Sequence, residues 1–347
     1  MTAAPIDLRS DVLAPPTEEM WEAMRATRLG WATNGEDPSV LELQERVAAL
    51  LGKEAGLWVP TCGMANLVAL LTIAPRGSTV VLEASSHVLT SEAMGIDEIA
   101  GLDPWSLWAE DGRLDPTEVE EAIIVTGALM LVLENTHTRA GGTVLSPELT
   151  ADLAAAAQLH GAYVHLDGAR LFNAAVALDV PVQELAAKVN TVAVSMNKGL
   201  CAPMGAILAG RTQVIELAHE TLRRLGGASV HKAGIAAAAA LVALDTLVDG
   251  LADDHRRARE LGALLQEIPG LEVEPAEIET NIVLVDVSGT ELYPDDFVRL
   301  LAERGVLGLE RDTSRVRFVT HRLIEDADIA RAAEVVATVA AERTQTE

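Results

Sequence analysis

Four short runs constrain this chain more than anything else in it. Ser78–Leu82, Ala128–Leu133, Ala162–Leu166 and Val189–Val194 are apolar on both faces and separated by longer helical stretches such as Pro147–His160. A strand apolar on both faces has to be covered on both, and alternation with helices is the pattern of a mainly parallel, doubly wound sheet. Upstream of these runs, an extended arm (Ile6–Pro16) leads to Thr17-Glu18-Glu19-Met20, which reads as an N-capped helix start. Pro38–Leu51 repeats the helical period, with Leu41, Leu43, Val47 and Leu50 as its expected apolar stripe. After about residue 250 the pattern changes. Asp253–Glu267 is a charged amphipathic helix, Leu271–Pro275, Asn281–Val287 and Arg315–Thr320 read as strands, and Pro294–Arg304 and Glu325–Arg343 as helices. The fold class expected is α/β: a large domain over 1–250, arm included, and a small C-terminal α+β domain over 251–347.

At about 150 residues per domain, 347 residues suit two domains. The composition, 49% hydrophobic and 22% charged, excludes disordered, collagenous and coiled-coil classes. A net charge of -26 repels phosphate backbones and anionic lipid, so neither nucleic acid nor a membrane surface is expected as a partner. Cys62 and Cys201 make no disulfide scaffold and have no metal-ligand spacing, so no metal is expected and the cytoplasm is the expected compartment. The apolar stretch Ala233–Val248 is interrupted by Asp245 and falls short of the ~20 residues that span a bilayer. It reads as a buried helix. Because aromatic residues are only 3%, this alanine-rich helix also reads as the centre of an apolar interface between two copies.

In open parallel sheets ligands collect at the carboxyl ends of strands. Here one strand runs into Asp167-Gly168-Ala169-Arg170, another into Ser195-Met196-Asn197-Lys198 and a third into Glu134-Asn135-Thr136-His137. Pro60-Thr61-Cys62-Gly63-Met64-Ala65-Asn66 is a small-residue turn opening an apolar helix, and free amides at a helix start bind phosphate. A strand-end aspartate, a later strand-end lysine and a phosphate cup are what pyridoxal 5'-phosphate (PLP) requires: the lysine forms the Schiff base and the aspartate keeps the ring nitrogen protonated.

The segments IDLRSDV (6–12), NGEDPSV (34–40), LENTHTRAGGTV (133–144), HLDGARLFNAAVAL (165–178), NKGLCAPMGAILAG (197–210) and VRFVTH (316–321) resemble the L-threonine aldolase family, in order and across the whole chain. That family has the aspartate-aminotransferase-like fold (fold type I), with a large cofactor-binding domain built on a seven-stranded type of sheet. The resemblance implies a PLP-dependent aldolase that cleaves a β-hydroxy-α-amino acid, threonine-like or larger, to glycine and an aldehyde. The alternatives are a related lyase or transaldolase acting on another β-substituent, or a non-catalytic relative. It makes Lys198 the Schiff-base lysine and Asp167 the partner of the ring nitrogen. Arg170, Arg317 and Ser10 bind the substrate carboxylate, and Arg170 also lies against the cofactor. His87 stacks on the ring, His137 stands near the substrate hydroxyl, and the base is His137 or a water held by it and His87. Thr61, Cys62 and Gly63 form the phosphate cup. His231 and Lys232 fall where a neighbouring subunit reaches the phosphate, which implies a homodimer or homotetramer.

Departures from the family pattern fall at Thr61-Cys62-Gly63, Asn34, Val12, Asn197, Leu89, Thr90 and His231. Loss of an aromatic at Leu89 or Thr90 removes stacking surface and volume, so a bulkier or more polar β-substituent is expected to fit. Against these readings stand plainer ones. His165, inside a strand, reads as a satisfied core histidine, Cys62 as a helix-cap neighbour, and Cys201, where the family has glycine, as packing.

Overall fold

The computed structural model describes residues 4–92 and 95–342. Contacts divide them into two units, a larger one (15–140 and 144–248) and a smaller one (4–14, 141–143 and 249–342). The larger unit holds a seven-stranded sheet in the order Ala55–Val59, Ala206–Gly210, Thr191–Ser195, Tyr163–Gly168, Met130–Glu134, Thr79–Glu83, Asp103–Leu107. Ala206–Gly210 runs against both its neighbours, and every other pairing is parallel. All four expected strands are present within a residue or two. Ala55–Val59, Ala206–Gly210 and Asp103–Leu107 went unread. The last carries Pro104, which is tolerated because this strand is at the sheet edge and needs to pair on one side only.

Helix starts follow their sequence signals. Thr17, Asp37, Thr61, Asp115 and Ser146 each accept a first-turn amide with their side chains. Two expectations are corrected here. On helix Pro38–Leu50 the buried face is Val40, Leu43, Val47 and Ala48, so Leu43 and Val47 are inward as expected, whereas Leu41 and Leu50 lie at the edges of that face and are exposed. The alanine-rich helix Gly234–Thr246 is buried by its own chain, against helices Glu18–Ala26 and Pro38–Leu50, so its burial requires no second copy. Alanine suits this packing because a small side chain lets helices approach closely. Among the described residues no single helix is long and apolar enough to cross a membrane.

The smaller unit contains a four-stranded antiparallel sheet, ordered Leu309–Glu310, Arg315–Val319, Ile282–Asp286, Glu272–Val273, with helices Leu251–Gln266, Pro294–Glu303 and Asp326–Ala341. Leu261, Val283, Phe297, Val316, Phe318 and Ile329 form its core. The expected end of the last helix, Arg343, lies outside the described residues. The arm departs from the expected division. Ile6–Asp7 pairs in parallel with Val306–Leu307, and Leu8 accepts from the Val319 amide at 2.7 Å, so the arm is grouped with the C-terminal unit rather than the larger one. Ile6 and Leu8 are apolar and buried in that core, a preference invisible without knowing which strand edge stands open.

Candidate active site

Strand Tyr163–Gly168 delivers Asp167 to its carboxyl end, where the residue is 1% exposed. Its Oδ1 accepts the Ala169 amide at 3.1 Å and its Oδ2 an Asn66 amide hydrogen at 3.0 Å. The sheet register sets it beside Glu134 on the neighbouring strand. Burial first, then the charges of Glu134 and Glu92, push its carboxyl up to about 6, with Lys198 and His87 opposing. Lys198 follows the adjacent strand, Thr191–Ser195, in a loop stabilised by a 2.6 Å bond from Ser195 Oγ to Asn197 Oδ1 and by the Cys201 amide on Lys198 O at 2.8 Å. Cys201 sits at φ 57°, in the left-handed region, which accounts for glycine being the family's usual choice there; its side chain is buried.

The third component is the start of helix Cys62–Ile73. Thr61 Oγ1 accepts the Met64 amide at 3.1 Å, leaving the amides of Cys62 and Gly63 as first-turn donors with no partner inside the helix. A Cβ on Gly63 would come within 3.2 Å of Glu92 Oε1, so the cup is kept open by the missing side chain. Cys62 Sγ lies 3.9 Å from Asp167 Oδ1, and desolvation with the Asp167 charge pushes the thiol up, which agrees with a cap neighbour and not a nucleophile.

The two histidines differ. His87 opens the helical turn His87–Thr90 with its side chain 36% exposed and Nδ1 3.3 Å from Glu92 Oε1. His137 is 1% exposed, with Nε2 2.9 Å from Glu83 Oε2 and 3.7 Å from Glu134 Oε2. Its ring is roofed by Gly112, where a Cβ would come within 2.5 Å. Burial would raise the Glu83 carboxyl, but hydrogen bonds from His137 and Ser85 outweigh it and hold it below the usual range. Glu134 is likewise held low, because burial is outweighed by His137 and by the amides of Thr138 (2.9 Å) and His87 (2.7 Å). His137 is thus enclosed by carboxylates, a setting that fixes the loop more directly than it serves an open substrate hydroxyl.

Arg170 stands at the start of helix Leu171–Leu178, 5% exposed, with Nη1 3.2 Å from Thr138 Oγ1. Ser10 and Arg317 are brought together within the smaller unit, where Arg317 Nη2 donates to Arg9 O at 3.1 Å and Ser10 caps the turn Asp11–Leu13. His231 and Lys232 are exposed and line an open recess of about 470 Å³ with Leu29, Gly30 and Trp31; His231 Nδ1 lies 2.8 Å from Thr33 Oγ1. Among the departures, Asn34 bonds to Glu36, Leu89 packs on the core around Leu82 and Val132, and the Thr90 hydroxyl returns to Ser86 O. Sequence reasoning missed Asn66 and Glu92. Asn66 lies one helical turn into helix Cys62–Ile73, Glu92 five residues after His87, and neither spacing announces a contact. His87, Glu92 and Asp167 bring one ligand atom each within 4.8 Å of one another, a convergence that the Asn66 amide already explains.

Comparison with known proteins fits this geometry. The profile of the Beta-eliminating lyase family matches residues 7–288. Low-specificity L-threonine aldolase 1 of Arabidopsis thaliana is 37% identical, over 95% of this chain and 94% of its own. The low specificity L-threonine aldolase of Escherichia coli O157:H7 is 35% identical, over 81% and 84%. The solved Leishmania major threonine aldolase shares the fold, with a TM-score of 0.80, 18% identity and coverage of 97% of this chain and 100% of that one. With the strand-end aspartate and lysine and the helix-start cup in place, the chain belongs to the beta-eliminating lyase family, in its threonine aldolase group, and is a PLP-dependent lyase of the fold-type-I architecture.

Proposed function

We propose that this protein cleaves β-hydroxy-α-amino acids, threonine-like or larger, to glycine and an aldehyde, in the cytoplasm and as a homodimer or homotetramer. The observation that carries the activity is the placement of Asp167 and Lys198 at the ends of adjacent parallel strands, with a glycine-opened helix start beside Asp167. These donors fit the cofactor: a buried carboxylate for a cationic ring nitrogen, an amine within electrostatic reach of that carboxylate, and two first-turn amides for a phosphate.

Bound there, pyridoxal phosphate supplies an electron sink for a carbanion at the substrate's Cα. Lys198 supplies the amine that holds it covalently. Asp167 keeps a negative charge against the ring nitrogen, a task its two hydrogen bonds favour by stabilising the ionised form. Arg170 presents a planar fork suited to a carboxylate, and within the smaller unit Ser10 and Arg317 are donors of the same kind. His87 carries the proton of the β-hydroxyl on Nε2, because Nδ1 is engaged by Glu92. His137 holds Glu83 and supports the wall. Association is supported by exposed Trp31 (55%), Leu29 (42%) and Ile235 (39%) near His231 and Lys232 on the larger unit.

The test is a panel of β-hydroxy-α-amino acids, including threonine, allo-threonine and phenylserine, incubated with the loaded enzyme while aldehyde and glycine are both quantified. Equimolar glycine and aldehyde are expected. Turnover that yields an oxo acid or a racemised substrate, with no glycine, refutes the reading.

A further inference from the structure

Beneath the candidate cofactor cleft runs an unbroken chain of buried polar groups. Thr191, His165, Asn66 and Asp167 are at most 1% exposed. Thr191 Oγ1 lies 2.9 Å from His165 Nδ1, and His165 Nε2 lies 3.0 Å from Asn66 Oδ1. Asn66 Nδ2 reaches Glu92 Oε1 at 2.9 Å and Asp167 Oδ2 at 3.0 Å.

The roles along this chain are determined. Two carboxylate oxygens can only accept, so Asn66 Nδ2 spends both its hydrogens on them and the amide cannot turn over without setting its carbonyl against two anions. Asn66 Oδ1 is then an acceptor, and His165 Nε2 has to carry the hydrogen. Burial lowers His165 to about 3, so the ring is neutral and its Nδ1 accepts from the Thr191 hydroxyl. One proton arrangement satisfies every atom.

We propose that Asn66 and His165 are positioning residues: a carboxamide clamp, locked by a single histidine tautomer, that holds Asp167 ionised and oriented for the cofactor's ring nitrogen and ties it to Glu92, the carboxylate that orients His87. The clamp rests on the cofactor reading of the cleft. It gives the fully buried Asn66 and His165 a task that an apolar side chain, with no hydrogen bond to offer, could not perform. The carboxylate that meets the ring nitrogen and the carboxylate that holds the half-exposed histidine share one NH₂ group, so electrostatic change at one is felt at the other.

The experiment compares wild type, Asn66→Leu, His165→Leu and His165→Gln by pH titration of the bound cofactor's visible absorbance and by equilibrium binding of pyridoxal phosphate to the stripped protein. Losing a hydrogen bond to an ionised carboxylate raises its proton affinity, so Asn66→Leu, which removes that bond, and His165→Leu, which removes the donor that fixes the Asn66 amide, are expected to displace the apparent titration midpoint by about one unit and to weaken cofactor binding about tenfold at neutral pH. His165→Gln, whose amide donates as Nε2–H does, is expected to stay within a few tenths of a unit of wild type. Equal shifts in His165→Leu and His165→Gln, or midpoints unmoved in both leucine variants, overturn the clamp. A wild-type protein that develops no visible band overturns the cofactor reading instead, and the two failures are told apart by that control. ¹⁵N-histidine spectra of the wild type require no variant to fold: His165 is expected neutral at pH 6 with its hydrogen on Nε2, and a hydrogen on Nδ1 or a protonated ring overturns the proposal.

Discussion

Asp254 offers a stability test independent of catalysis. It lies on helix Leu251–Gln266, 2% exposed, and its Oδ1 has no hydrogen-bond partner among the described residues. Burial first, then the fully buried Asp11, push its carboxyl up to about 7, with Asp253 adding to and Arg257 and Arg322 opposing the shift. In the unfolded chain the same group titrates near 3.8. Between these values the folded protein keeps a proton that the unfolded chain has lost, so stability falls as pH rises through the window and the loss is complete above the folded value. About three units at 1.36 kcal/mol each make the ionised Asp254 cost ~4 kcal/mol at pH 8 and almost nothing at pH 4. Asp254→Asn keeps the shape and cannot ionise. Its unfolding free energy relative to wild type should therefore be near zero at pH 4 and about 4 kcal/mol more favourable at pH 8. All five tryptophans lie between positions 21 and 108, so urea unfolding is better followed by far-UV circular dichroism than by fluorescence. A stability difference that does not change with pH, or a variant less stable than wild type at pH 8, refutes the reasoning.

Lys198→Ala should abolish the visible absorbance of the bound cofactor, and borohydride reduction followed by peptide mapping should place the pyridoxyl group of the wild type on Lys198 and no other lysine. Thr61→Ala removes the cap of helix Cys62–Ile73 and should cost about 1 kcal/mol in urea unfolding, together with weaker cofactor binding. Cys62, with its thiol pushed up by desolvation and Asp167, should resist a disulfide-exchange reagent at pH 7.5 in the folded protein and react once urea is added; fast labelling in the native state would contradict the site electrostatics. Light scattering at micromolar concentration should give at least a dimer mass, and Trp31→Asp should lower it.

Much of the fold was legible because a strand covered on both faces leaves a continuous apolar run, as in Met130–Glu134 and Thr191–Ser195. Ala206–Gly210 was not, since a short small-residue segment inside a glycine-rich stretch looks like loop until a neighbour supplies its hydrogen bonds. The arm's affiliation was hidden for a related reason: strand pairing with residues 300 positions away leaves no periodic trace. At the site, Asp167, Lys198, Arg170 and the Thr61–Gly63 turn could be read from strand-end and helix-start chemistry plus family resemblance. Asn66 and Glu92 could not, because their importance comes from meeting across the fold. The burial of His137 was equally unreadable: nothing in Glu134-Asn135-Thr136-His137 reveals that Glu83, on another strand, pairs with its ring Nε2 at 2.9 Å.

Because residues 4–14 and 249–342 both belong to the smaller unit, the larger unit is inserted between them, as two stretches (15–140 and 144–248) separated only by 141–143. On the ribosome, Ile6 emerges early but the carbonyl it pairs with, at Gly305, comes about 300 residues later. At about 5–20 residues per second, that wait is roughly 15–60 s, time in which the larger unit can complete its own sheet while Ile6 and Leu8 remain uncovered. Synthesis of the final stretch is therefore the event that sets Ser10 beside Arg317, and a nascent chain released before residue 305 would carry a finished lysine-bearing unit with no home for its amino-terminal serine.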